Sequence, residues 1–236
     1  MAASRQSLLR RAVRRLVRPQ GSVVRQGEFV TFRPEGFVEA KDPGGLLCRH
    51  YYEVAQLRRC LGLMAEQGIH PGRSLEIGCG FGRLSPYIAE HVAQHTAVDI
   101  NTWALSEARR FYPAIAFSEA SATQLPFPDH SFDVVLTWTV LQHLPNSLVG
   151  KALSEIQRIA NPKSLLILCE ATLTAGKPEK AGQHTHDRFP EFYAEAFSPR
   201  RLIVSEFITE LDRIPSMGSP GRLMVFGPVE QASADS

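Results

Sequence analysis

A chain of 236 residues, 44% of them apolar, is long enough to bury one sizeable α/β core and still carry an extension. Its net charge of +2 excludes the basic character of a general nucleic-acid binder, and no apolar run is long enough to span a bilayer. The four cysteines (Cys48, Cys60, Cys79, Cys169) form no CxxC pair and no histidine cluster has zinc-like spacing, so reduced thiols, no metal and a cytoplasmic setting are expected.

The charge is unevenly spread. Seven arginines lie between Arg5 and Arg25, and no acid precedes Glu28. Within residues 4–18, Leu8, Leu9, Ala12, Val13, Leu16 and Val17 recur at helical spacing, with Arg10, Arg11, Arg14, Arg15 and Arg18 on the other face. Residues 1–20 therefore read as a basic amphipathic helix ended near Pro19. Three readings compete: peripheral contact with an anionic membrane, a mitochondrial transit peptide in a eukaryotic source, and a solvated arm. Residues 21–47, rich in glycine, proline and charge, read as a linker or cap. A helix is expected from His50 to Gln67, with Tyr51, Val54, Leu57, Leu61 and Met64 on its apolar face.

An alternating α/β pattern follows. Strands are expected at Ser74–Ile77, Thr96–Ile100, Ile115–Ser118, Phe132–Thr137 and Leu165–Cys169, and helices at Arg83–His91, Thr102–Phe111 and Ser147–Ile159. Strands separated by helices of this length imply right-handed βαβ units and a parallel sheet. A short helix around Arg200–Val204 should lead into two last strands, Glu206–Ile214 and Arg222–Phe226. The loop between them is too short for a parallel crossover, so this pair should be antiparallel.

The site signal is Leu75-Glu76-Ile77-Gly78-Cys79-Gly80-Phe81-Gly82. Glycines between a strand and a helix allow a tight turn and close backbone approach to a nucleotide. Asp99 closes the next strand, 23 residues after Glu76, where a carboxylate can accept from both hydroxyls of a ribose. The competing role for Asp99 is a cap on the helix that begins near Thr102, which Asn101 could supply instead. A dinucleotide fingerprint wants GxGxxG; no glycine or alanine stands three residues after Gly80. The acid before the turn, Glu76, suits a ligand with a positive group, such as an amino-acid ammonium.

These residues resemble the class I S-adenosylmethionine-dependent methyltransferases of small-molecule type, such as the ubiquinone and menaquinone C-methyltransferases. The E-x-G-x-G-x-G turn is matched by Glu76, Gly78, Gly80 and Gly82, and the ribose acid by Asp99. The family's DAxxLPF…FD segment is matched by Ser121–Phe127 with Phe132-Asp133, and its HHL segment by Leu141-Gln142-His143-Leu144. The resemblance covers residues 48–228, leaving 229–236 as an expected disordered tail. It implies a Rossmann-like seven-stranded sheet, mostly parallel with an antiparallel C-terminal strand, helices on both faces, and S-adenosylmethionine as cofactor. It also implies cofactor contacts from Glu76, Gly78, Cys79, Gly80, Gly82, Asp99, Ile100, Ser121, Ala122 and Thr137. The chain departs from the family at Ser121, where an acid usually receives the adenine amino group, and at Asn161-Pro162-Lys163-Ser164, which replaces a Pro-Gly-Gly turn.

On the acceptor side, His143 follows the fourth strand of the pattern and is the candidate base or substrate-orienting group; the competing reading is a structural histidine. His184, His186, Arg188 and Tyr193 are candidates to receive the substrate, against a plain solvated loop. The signatures of adenine-N6 and cytosine-C5 methyltransferases are missing from the sequence, so a small-molecule acceptor is expected and no nucleic acid. Two alternatives stay open: a methyltransferase-like binding or regulatory protein without catalysis, and a Rossmann oxidoreductase.

Overall fold

Successive strand residues point to opposite faces of a sheet. The central strands here are apolar on both faces, which demands cover from both sides. The computed structural model describes residues 23–26, 29–32, 43–70, 72–173, 185–208 and 221–229, with side chains from residue 49 onward. The elements, in order, are β1 (Val23–Gln26), β2 (Phe29–Phe32), α1 (Pro43–Glu66), β3 (Arg73–Ile77), α2 (Ser85–Ala89), β4 (Gln94–Asp99), α3 (Thr102–Phe111) and β5 (Ala116–Glu119). They continue with β6 (Phe132–Trp138), a 3₁₀ turn (Leu141–His143), α4 (Asn146–Ile159), β7 (Ala160–Ala171), α5 (Pro190–Ala196), β8 (Arg200–Phe207) and β9 (Gly221–Val229).

Seven strands form one sheet in the order β5-β4-β3-β6-β7-β9-β8. The strands from β3 to β7 pair in parallel, and β9 runs antiparallel to both β7 and β8. This is the mixed sheet that the alternating pattern and the short last connection imply. Trp138, Leu136 and Val134 of β6 face α1, whose Val54, Leu57, Leu61 and Met64 are buried against them. Val135 and Leu166 face the other way, onto Val149, Leu153 and Ile156 of α4. Burial of one such leucine contributes roughly 1.5–3 kcal/mol, so each layer is held mainly by its apolar stripe.

Three local expectations need correction, and one segment gains detail. Helix α1 begins at Pro43 rather than His50; proline suits a first helical position because its missing N–H needs no partner there. Residues 21–47 contain an antiparallel pair, with Val23 opposite Phe32 and Gln26 opposite Phe29. Tyr51 is 62% exposed and does not share the buried face of α1. Residues 200–204 are strand rather than helix, and the short helix lies upstream at Pro190–Ala196. Arg200 sets that strand's start by donating to the carbonyls of Asn161, Ser164 and Gly227. The Asn161–Ser164 segment is absorbed into β7 as an irregularity, since pairing with β6 jumps from Phe132–Ala160 to Val134–Leu165.

The sheet order reverses at β3. The chain leaves that strand first toward β4 and β5, then returns to add β6 on its other side. Ligands of open α/β sheets bind in the crevice at the carboxyl ends around such a switch point. The basic segment 4–18, His184 and most of 229–236 lie outside the described residues.

Candidate active site

The turn after β3 is built from three glycines with positive φ: Gly78 (73°), Gly80 (55°) and Gly82 (77°). Their reasons differ. A Cβ on Gly78 would stand 2.4 Å from Cγ2 of Val140, so the segment after β6 closes directly over this residue. A Cβ on Gly82 would meet the Phe117 ring at 2.9 Å. At Gly80 nothing lies within 4 Å of that position. The backbone N–H of Gly78 and of Cys79 both donate to the Val98 carbonyl, which ties the turn to the end of β4.

Asp99 ends β4 beside the turn. Its Oδ2 accepts the Gly80 N–H at 2.7 Å and its Oδ1 accepts the Asn101 N–H at 2.8 Å. Asn101, not Asp99, caps α3, with its Oδ1 accepting from Ala104 N at 3.1 Å. Burial pushes the Asp99 carboxyl up; the N–H groups of Asn101 and Gly80 oppose that rise. An ionised carboxylate has about four lone-pair sites, so it retains acceptor capacity beyond these backbone bonds.

Glu76 is buried under the turn. Its Oε2 accepts from Ser85 Oγ at 2.5 Å and lies 3.6 Å from Nε2 of His95, whose Nδ1 is 2.8 Å from Ser74 Oγ. Arg83, next after the glycines, pairs with Glu53 at 2.6 Å, and Glu53 also takes Arg49 at 2.7 Å. Two guanidinium groups on one buried carboxylate bind α1 to the turn.

Together these elements enclose a cavity of about 180 Å³. Of the expected cofactor residues, Glu76, Gly78, Cys79, Gly80, Asp99, Ile100 and Ala122 line it, and so does His143. Gly82 shapes the turn without lining the cavity. Ser121 does not line it either: its hydroxyl lies 2.8 Å from Thr123 Oγ1 and accepts the Thr123 N–H, a local bond that a short hydroxyl makes easily. Thr137 also turns away, donating to Glu170 Oε1 at 2.9 Å.

The acceptor candidates separate in space. His186 is exposed. Tyr193 is fully buried in the core under α5. Arg188 is 6% exposed and donates to the carbonyls of Leu141, Leu144 and His186 and to Asn146 Oδ1. It is a clamp on the segment after β6. On the opposite side of that segment stands Glu170, fully buried, which accepts from Val140 N, Gln142 N and Thr137 Oγ1. The carboxylate thus meets the N–H groups of the 3₁₀ turn and the guanidinium meets its carbonyls, the order that complements the turn's dipole. Burial pushes the Glu170 carboxyl up to about 7 against the pull of those donors. Thr139, between them, holds φ 57°, a conformation that costs a non-glycine residue about 1–3 kcal/mol and that the clamps on both sides maintain.

Sequence reasoning missed Arg83, Trp138, Val140 and Glu170. The first three line the cavity and Glu170 shapes it from behind. An acid ending the apolar run Leu165–Cys169 was the one signal available for Glu170.

Residues 75–168 match the family model described as a methyltransferase domain. The chain is similar to a demethylmenaquinone methyltransferase of Beutenbergia cavernae, 32% identical over 115 residues, covering 48% of this chain and 47% of the relative. It is similar to a malonyl-(acyl-carrier protein) O-methyltransferase of Serratia marcescens, 29% identical over 171 residues, covering 68% and 66%. The chain therefore spans from about half to just under two thirds of the length of these curated relatives. A S-adenosylmethionine-dependent methyltransferase structure from Leishmania major superposes with a TM-score of 0.61 at 18% identity, covering 75% of this chain and 72% of that one. Sheet order, glycine turn and strand-end acid define a Rossmann-like fold with its ligand crevice at the switch point. The match over residues 75–168 is to a methyltransferase domain, and S-adenosyl-L-methionine is the cofactor that such a domain implies. The residues fit that cofactor: Gly80 leaves room for a close approach, Asp99 keeps lone pairs for ribose hydroxyls, and Glu76 supplies negative charge beside the turn.

Proposed function

We propose that this chain transfers a methyl group from S-adenosylmethionine to a small-molecule acceptor. The observation that carries the reading is the convergence of Glu76, Gly78, Gly80, Asp99 and His143 on one cavity. Asp99 holds the ribose hydroxyls, Glu76 and the turn hold the amino-acid end, and Ala122 borders the adenine end. When bound, the cofactor would supply an electrophilic sulfonium methyl to the acceptor's electron pair, with a neutral thioether as leaving group. The protein aligns the two and excludes water. The buried wall of Trp138 and Leu144 serves that exclusion, and His143 orients the acceptor or takes its proton. The O-methyltransferase among the relatives makes an oxygen nucleophile the first acceptor class to test.

We also propose a cytoplasmic setting, with residues 4–18 as a peripheral contact to anionic membrane; the separation of arginines from Leu8, Leu9, Ala12, Val13, Leu16 and Val17 at helical spacing supports the membrane contact. No helix among the described residues is long and apolar enough to cross a membrane. The test is transfer of label from methyl-labelled cofactor to a cell extract by the full chain and by His143→Ala. The reading predicts labelled product that falls at least about tenfold in the variant. Undiminished transfer by His143→Ala removes the histidine from the mechanism, and no transfer by the native chain overturns the function.

A further inference from the structure

Gln142 is 8% exposed and every one of its polar groups is engaged. Its N–H donates to Glu170 Oε2 at 3.0 Å and its carbonyl accepts the His186 N–H at 2.7 Å. Its Oε1 accepts the Ala171 N–H at 2.6 Å, and its Nε2 lies 3.3 Å from Nε2 of His143. The Ala171 contact settles the amide's orientation, because a backbone N–H can face only the oxygen of a side-chain amide and not its NH₂. The NH₂ therefore points at His143 as a donor. A ring nitrogen that accepts a hydrogen bond carries no proton, so the neutral imidazole must carry its proton on Nδ1.

We infer that Gln142 is a positioning residue that fixes His143 as the Nδ1–H tautomer, and that the acceptor, an oxygen nucleophile in the reading above, accordingly reaches the site already deprotonated, as a carboxylate. In this arrangement the Nε2 lone pair is occupied by the glutamine and Nδ1 carries hydrogen. Neither nitrogen offers a bare lone pair to a protonated hydroxyl or an acidic C–H. Methyl transfer then needs no general base: the carboxylate oxygen contributes the electron pair of the new O–CH₃ bond, the sulfonium leaves as a neutral thioether, and no proton moves. A carboxylate meets this requirement across the neutral range because it ionises near pH 4. The inference rests on the methyl-transfer reading above.

The test uses the full chain. Long-range proton–nitrogen spectra of nitrogen-15 histidine-labelled protein, with His143→Ala to assign the ring, are recorded at about pH 8.5, above the range in which an unperturbed imidazole protonates. The expected result is a protonated Nδ1 and an unprotonated, hydrogen-bonded Nε2 at His143. In Gln142→Glu, which keeps an oxygen for Ala171 and presents a second acceptor to the ring, the proton should move to Nε2. Circular dichroism and adenosylhomocysteine affinity should stay within about threefold of native. A native His143 protonated on Nε2 overturns the inference; if Gln142→Glu does not fold, that native spectrum alone still decides. The substrate class is read from label transferred to a cell extract: methyl esters release labelled methanol in alkali, whereas ethers and N- or C-methyl products keep it. Alkali-labile label is expected, and alkali-stable label overturns the carboxylate assignment. Failure to bind adenosylhomocysteine or to transfer any label strikes at the methyltransferase reading instead, and leaves the tautomer result standing.

Discussion

Within a single glycine motif the structure separates two alanine substitutions that sequence alone would treat alike. Gly78→Ala suffers twice. An L-residue at φ 73° costs roughly 1–2 kcal/mol. Its Cβ also falls 2.4 and 2.9 Å from the two methyl carbons of Val140, an overlap worth about 1–3 kcal/mol. The sum is about 2–5 kcal/mol of lost stability. Gly80→Ala bears the backbone cost alone, because nothing lies within 4 Å of its Cβ. Its new methyl instead lies at a residue that lines the cavity, so the damage should appear in cofactor affinity. Urea unfolding followed by circular dichroism and titration calorimetry with adenosylhomocysteine measure the two quantities separately. Adding Val140→Ala to Gly78→Ala removes both clashing methyls and should recover the steric part, a coupling of about 1–3 kcal/mol in a double-mutant cycle. Equal destabilisation by the two glycine substitutions, or a cycle without coupling, would refute the packing argument.

Glu170 ionises at about 7 in the fold against 4.5 for the ordinary group. Stability linked to it is therefore fully present below about pH 4.5 and is lost as pH rises through 7, by on the order of 3 kcal/mol. Glu170→Gln should abolish that slope in urea unfolding between pH 5 and 8, and parallel native and variant curves would contradict the account. Glu53 behaves oppositely: burial favours its neutral form, but Arg83 and Arg49 hold its carboxyl below the usual range. Its contribution is present above the ordinary carboxylate range and is lost as pH falls through the folded value, so Glu53→Gln should flatten the acid limb alone in the same unfolding assay. Deleting residues 1–20 should leave the urea midpoint and adenosylhomocysteine affinity unchanged while abolishing sedimentation with anionic vesicles; loss of folded protein, or undiminished sedimentation, would disprove this division of roles.

The parts of the site legible in the sequence are those fixed by backbone geometry. Gly78, Gly80 and Asp99 occupy positions where few residue types can serve, and the structure brings them together at the switch point. The helix over Thr102–Phe111 was readable to the residue because Asn101 caps it and its apolar face repeats at helical spacing. Polar side chains were less legible, because residue type does not reveal burial. Arg188 and Tyr193 look like a substrate-facing pair in the sequence, yet one clamps backbone carbonyls and the other fills the core. Ser121 and Thr137 sit at the expected strand ends, but each hydroxyl is satisfied within the protein by Thr123 or Glu170. The misplaced helix near Arg200 has a similar origin: Leu202, Ile203 and Val204 are a strand run, and the helix signal lay in Pro190, which occupies a first-turn position.

Equilibrium binding to the full chain tests the central claim most directly. Calorimetric titration of the native chain and of Asp99→Ala with adenosylhomocysteine and with NADH should show saturable, one-to-one binding of adenosylhomocysteine to the native chain. Affinity should weaken at least about tenfold in the variant, as expected when a charged partner of the ribose hydroxyls is removed. NADH should produce no saturable heat with either. Saturable binding of NADH without adenosylhomocysteine would contradict the account, and so would adenosylhomocysteine binding that ignores the loss of Asp99.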